Sequence, residues 1–267
     1  MRVRNIGVLY ANGTGVEKDI DKAVEYYRKA ADQGNTDAEV NLGFLHERGD
    51  GVEKDLNKAV ALYRKAADKG NADAQRNLGV LYENGTGVEK NLSTAAEYFQ
   101  KAVDQGNSDA EVNLGFMYER GIGVARDLDN AIELYRKAAA QGNAGAQRNL
   151  GVLYENGQGV EKDMNKSVGF FQKAADQGDG DAEVNLGVCY ENGAGVAADL
   201  AKAIALYQKA ADQGNAYAQY DLGLCYEHGK GMEKDLPKAL DLYQASASQG
   251  YADAQAALKR LGHSPSQ

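Results

Sequence analysis

Residues 35–70 read NTDAEVNLGFLHERGDGVEKDLNKAVALYRKAADKG, and this stretch decides the fold. Ala38, Leu42, Leu45 and His46 recur at the spacing of one face of an α-helix. Asn35 stands where an N-cap belongs. The run Glu47-Arg48-Gly49-Asp50-Gly51-Val52 stops that helix with two glycines. Asp55 then caps a second helix with the apolar face Ala59, Leu62, Tyr63, Ala66 and Ala67, which ends at Gly70.

The same unit extends in both directions. Gly43 has counterparts at a step of 36 residues, at Gly7, Gly79, Gly115, Gly151, Gly187 and Gly223, and a second series runs from Gly34 to Gly250. A fixed period of this length marks a supersecondary unit that covers its apolar face only by stacking on a neighbour. The expected fold is all-α: a right-handed α-solenoid superhelix of antiparallel helix hairpins, one domain of seven repeats over residues 1–262. Residues 251–262 start like a first helix with no second helix after them, and are expected to cap the stack. Residues 263–267 read as a disordered polar tail. Arg4-Asn5-Ile6-Gly7 matches the middle of later units (Arg76-Asn77-Leu78-Gly79), so the first repeat is truncated and a leader preceding it is compatible with the pattern. Gly43 and its counterparts lie inside a helix, where glycine costs roughly 1 kcal/mol relative to alanine. Close approach of the second helix is the expected compensation.

Composition narrows the function. Thirty Lys plus Arg against 39 Asp plus Glu give a net charge of -9, which opposes general nucleic-acid binding. No apolar run is long enough for a membrane span or signal peptide, so the chain reads as cytoplasmic. Cys189 and Cys225 sit one period apart, at the site of Leu45 and Leu81. Stacked equivalents lie roughly 8–10 Å apart, too far for a disulfide, and two free buried thiols are expected. His46, His228 and His263 have no metal-ligand spacing, so no metal and no cofactor is expected. The glycines of Gly13-Thr14-Gly15-Val16-Glu17-Lys18 follow a helix and recur in every unit, unlike a phosphate loop. No nucleophile motif occurs, and the chain reads as a non-enzyme.

The string Asp73-Ala74-Gln75-Arg76-Asn77-Leu78-Gly79-Val80-Leu81-Tyr82-Glu83-Asn84-Gly85-Thr86-Gly87-Val88, with segments such as Lys22 to Gly34, resembles the Sel1-like repeat (SLR) family. These are relatives of tetratricopeptide repeats, and the resemblance covers essentially the whole chain. It implies an α-solenoid adaptor that holds other proteins together, in settings such as signalling complexes, protein quality control and bacterial interactions with hosts. Some relatives carry a disulfide within each repeat; this chain lacks those cysteines. A finer pattern overlies the family's: Glu-Val-Asn-Leu-Gly opens at Glu39, Glu111 and Glu183, and Gln-Arg-Asn-Leu-Gly at Gln75 and Gln147. Duplication of two-repeat blocks and design from a consensus each produce such a pattern, while scattered differences such as Gly169 favour a natural chain.

The helical wheel places Asp37, Val40, Asn41, Phe44 and Arg48 away from the inward face. In related solenoids the first helix lines the concave groove, which makes this stripe the expected partner site. Its members are the amide row Asn41, Asn77, Asn113, Asn149 and Asn185, continued by Asp221, and the apolar row Phe44, Val80, Phe116 and Val152. Arg76, Arg148 and Tyr220 complete it. An amide both donates and accepts, which suits the backbone of an extended peptide. A row bonded only to its own scaffold is the other reading. Glu47, Glu83, Glu119, Glu155, Glu191 and Glu227 read as a solvated flank. In the seventh repeat Tyr217, Tyr220, Asp221, Leu224 and His228 form either a specific pocket or an adaptation to the cap.

The expected function is a protein-binding scaffold for a partner protein or peptide, with no nucleic acid and no membrane. A monomer is expected, the exposed repeat ends being where copies could associate. A purely structural or designed array without a ligand is the alternative, and it predicts that Phe44, Val80 and Phe116 are buried.

Overall fold

The structure, a computed structural model, describes residues 2–264, so the end of the expected tail, residues 265–267, lies outside the described residues. The described residues form fifteen α-helices and no strand. The chain divides at Ala138/Ala139 into two compact units. In the first, α1 (Arg2–Asn12), α3 (Thr36–Arg48), α5 (Ala72–Asn84) and α7 (Ser108–Arg120) are first helices of hairpins. They alternate with α2 (Ile20–Asp32), α4 (Leu56–Ala67), α6 (Leu92–Val103) and α8 (Leu128–Ala140), the last crossing the division. In the second, α9 (Ala144–Asn156), α11 (Gly180–Asn192) and α13 (Ala216–His228) alternate with α10 (Met164–Ala175), α12 (Leu200–Asp212) and α14 (Leu236–Ser248). The chain closes on α15 (Ala252–Arg260).

Local chemistry sets the helix ends. The Asn35 side chain accepts from Ala38 N at 2.8 Å, and Asp55 accepts from Lys58 N at 2.9 Å. Gly49 turns the chain at φ +84°, a left-handed conformation that favours glycine, while its N–H donates to Leu45 O. The N-cap asparagines also join neighbouring repeats. Asn71 Nδ2 donates to Asp37 Oδ1 at 3.0 Å and Asn107 to Asp73 at 2.9 Å in the first unit, and Asn215 to Asp181 at 2.7 Å in the second.

The buried core of the hairpins combines alanines, first-helix leucines such as Leu42, Leu45, Leu78 and Leu81, one large aromatic ring per second helix and one facing glycine. Ala59, Tyr63, Ala66 and Ala67 are buried as expected, but Val60 turns inward while Leu62 is only half-buried. The in-helix glycine faces the ring: a Cβ on Gly79 would lie 2.5 Å from the Phe99 ring, and one on Gly43 would lie 2.8 Å from Tyr63. Close approach of the second helix is thus approach of its one large side chain. At the C-terminus, Ala254, Ala257 and Leu258 of α15 cluster with Ala239, Tyr243 and Ala247 of α14.

Candidate functional site

The first helices share a division of faces in outline, although α1 leaves Leu9 40% exposed where α3 buries Leu45. On α3, Ala38, Glu39, Leu42, Gly43, Leu45 and His46 are buried, whereas Asp37, Val40 and Asn41 are half-buried and Phe44 and Arg48 exposed. The strip away from the core is therefore continuous along the helix, one member per turn.

In the first unit the amide row is Asn41, Asn77 and Asn113, all half-buried. Asn77 accepts from Arg76 Nη1 at 3.2 Å. The amides of Asn41 and Asn113 make no hydrogen bond to any described residue, yet they are not sealed from solvent. The apolar row beside them is uneven. Phe44 is 46% and Phe116 40% exposed, while Val80 between them is half-buried and packs on the core. Arg48 lies over the Phe44 ring at 5.2 Å and Arg120 over Phe116 at 5.6 Å.

In the second unit Asn149 and Asn185 are likewise half-buried and make no hydrogen bond to a described residue. Asp221 takes the third place, half-buried, and burial with the nearby Glu191 charge pushes its carboxyl up to about 6. Val152 packs on the core. Arg148 pairs with Asp181 and lies 3.6 Å from Asp179, beside an open polar notch of about 320 Å³ that Gln213 and Asn215 also line. Arg148 is thus committed to the next repeat. Tyr220 is drawn into an aromatic cluster, its ring centroid 5.7 Å from Tyr243 and 5.3 Å from Tyr251, and Tyr217 meets Tyr251 at 4.9 Å. Tyr220 is thus half-buried against the cluster of α14 and α15, while Tyr217 remains 55% exposed.

Four of the six glutamates at the foot of the first helices are not the solvated flank that the charge pattern suggested. Glu47 accepts from Tyr63 Oη at 2.9 Å, Glu119 from Tyr135 at 2.9 Å, Glu191 from Tyr207 at 2.7 Å and Glu227 from Tyr243 at 2.6 Å. Each ties the two helices of its hairpin and buries the ring without orphaning the hydroxyl. Repeats with Phe99 and Phe171 lack that bond, and burial alone pushes the Glu83 carboxyl up. Glu39, fully buried, was also missed: its carboxylate pairs with Lys65 at 3.0 Å and Lys69 at 2.8 Å. Where the pattern has glutamine, Gln75 accepts instead from Gln105 at 2.7 Å, and Gln147 from Gln177 at 2.8 Å. The spacing of 30 residues to the end of the second helix was the available signal.

His46 is buried with Nδ1 3.2 Å from Glu53 O, a core position. Cys189 and Cys225 are free and buried, and burial pushes both thiols up to about 11. Among the described residues no group of three or more His, Cys, Asp or Glu is placed to hold a metal, and no helix is long and apolar enough to cross a membrane.

Stacked helical hairpins of constant repeat length define an α-solenoid repeat protein. The family model of the Sel1 repeat matches residues 4–35, 36–71, 72–107, 108–143, 144–179, 180–215 and 216–251, and the chain belongs to the Sel1 repeat family. Proteins of this family act in general as protein-interaction scaffolds rather than enzymes. Among solved structures, the chain is 33% identical to a Sel1 repeat protein from Oxalobacter formigenes, over 92% of this chain and 97% of that one, with a TM-score of 0.81. It is 37% identical to a protective antigen of uropathogenic Escherichia coli with an SLR fold, over 99% of this chain, with a TM-score of 0.74; the chain spans 58% of that protein's length. An immunity protein from Pseudomonas aeruginosa is 26% identical over 80% of this chain and 81% of its own, with a TM-score of 0.55. A comparison with curated protein sequences returns no match.

Proposed function

We propose that this chain is a non-enzymatic scaffold that holds a partner protein by an extended segment lying across its first helices. One observation carries the reading: Asn41, Asn113, Asn149 and Asn185 hold half-buried amides that bond to no described residue. A scaffold role for the row would require partners within the stack. Unspent donors and acceptors, two in each unit, instead suit a peptide backbone, which offers both in alternation. The exposure of Phe44 and Phe116 counts against the ligand-free array, which needs them buried.

The test uses the full chain and peptides selected on it from a random display library. Asn41→Ala combined with Asn113→Ala removes two hydrogen bonds to the guest, each worth about 0.5–1.5 kcal/mol. Binding of a selected peptide, read by fluorescence anisotropy, is expected to weaken about tenfold or more, with the melting temperature unchanged. Unaltered affinity in a folded double variant refutes the clamp.

A further inference from the structure

The first unit carries a feature that the amide row does not explain. Phe44 and Phe116 are its two exposed phenylalanines, they sit at the same position of alternate repeats, and each is overlaid by an arginine from the next turn of its own helix. The second unit has Val152, Val188 and Leu224 at the phenylalanine position and Asn156, Asn192 and His228 at the arginine position. Aromatic rings and arginine are both enriched at protein interfaces, and here a flat apolar anchor stands beside a forked donor.

The existing partners of these arginines leave them available. Arg48 Nε is 3.1 Å from Asp50 and Arg120 Nε is 3.6 Å from Glu119, with both arginine side chains 61% exposed. Exposed pairs of this kind contribute little to stability and exchange readily. The opposite edge of the same strip carries Asp37 and Asp73, each already taken by an asparagine of the next repeat. Asp37 also lies 3.4 Å from Arg4, so the open forked donors lie on the arginine edge, where a guest carboxylate would displace Asp50 and Glu119.

Spacing sets the guest's register. Packed helices lie roughly 8–10 Å apart, so clasps on alternate repeats are separated by roughly 16–20 Å. An extended peptide advances about 3.3 Å per residue and places alternate residues on one face. Two side chains that meet both clasps from the same face are then about six residues apart.

We infer that the first unit is specific for an extended acidic peptide, engaging two carboxylate side chains about six residues apart through Arg48 and Arg120, each beside an apolar contact on Phe44 or Phe116. This rests on the peptide-binding reading above and adds the chemistry of the guest. The carboxylates accept forked hydrogen bonds from the guanidinium groups, while the guest backbone follows Asn41, Asn77 and Asn113.

The same display library tests it on the full chain. Enriched peptides are expected to share two Asp or Glu residues five to seven positions apart. A synthetic copy is expected to lose at least tenfold in affinity to Arg48→Ala/Arg120→Ala, and to lose comparably when two residues are inserted between its acidic positions. Selected peptides without the acidic pair, or bound equally by the double arginine variant, overturn the inference. If such peptides still depend on Asn41 and Asn113, the clamp survives and only the acidic specificity fails. If no peptide is enriched on a folded chain, both readings fail.

Discussion

Asp221 replaces an asparagine that the equivalent position carries in six other repeats, and its substitution measures what that departure costs. Burial first, and the Glu191 charge second, raise its carboxyl from 3.8 to about 6, with Lys230 opposing. A raised carboxyl favours the folded state while protonated. That contribution is complete below 3.8 and is lost as the pH rises through about 6. A rise of about two units corresponds to roughly 3 kcal/mol at neutral pH if water were fully excluded. Asp221 is only half-buried, so screening reduces this to about 1–2 kcal/mol. Asp221→Asn removes the charge and keeps the shape. Urea unfolding followed by far-UV circular dichroism is expected to show the variant about 1–2 kcal/mol more stable at about pH 7, the gain vanishing near pH 4. An equal gain at both pH values would assign the effect to packing. No gain at neutral pH would show that the carboxylate is solvated and the argument wrong.

Two further outcomes follow from the packing. Gly79→Ala should destabilise the chain by about 1–3 kcal/mol through overpacking, because its Cβ meets the Phe99 ring, whereas Gly169→Ala, with open space and no positive φ, should stabilise by about 0.5–1 kcal/mol; thermal melts of the pair separate ring contact from helix propensity. Arg260 and Tyr243 both bond Glu227, and chiefly the Arg260 bond holds that carboxyl down to about 2. A depressed carboxyl stabilises above its ordinary value of 4.5 and loses the effect as the pH falls towards about 2. Arg260→Ala should therefore speed amide exchange in α15 at neutral pH, and acid should open α15 of the unaltered chain in the same way.

The parts legible in the sequence were those whose cause is local. Asn35, Asp55 and Gly49 were read correctly because a cap is satisfied within four residues of itself, whereas α4 ends at Ala67 with Asp68 as its C-cap, two residues before Gly70; the faces of α3, save for the buried Glu39, followed from periodicity alone. What escaped were the bonds that close over distance. Glu47 looks like any charged residue at a helix end until Tyr63, 16 positions later on the second helix, turns its hydroxyl towards it. The alternation of Glu39 with Gln75 was visible as a pattern, but its cause was not: one faces lysines and the other a glutamine amide. In a repeat array such pairs are nonetheless recoverable, since a constant offset between two polar columns is itself a contact hypothesis.

The candidate site divides along the same line. Which residues lie off the core is a property of one helix, so the strip containing Asn41 and Phe44 could be drawn from the wheel. Which of them are spent is a property of the stack, and the wheel treats Arg76, Arg148 and Tyr220 as equals of Asn41. In the structure Arg148 is paired to Asp181 and Tyr220 is packed beneath the closing helix, while the Asn41 amide remains without a described partner. Binding capacity is what remains after the scaffold has satisfied itself. In the first unit that remainder is a row of amides edged by two arginine-covered rings, and this residual chemistry, more than the repeat itself, is what a partner would recognise.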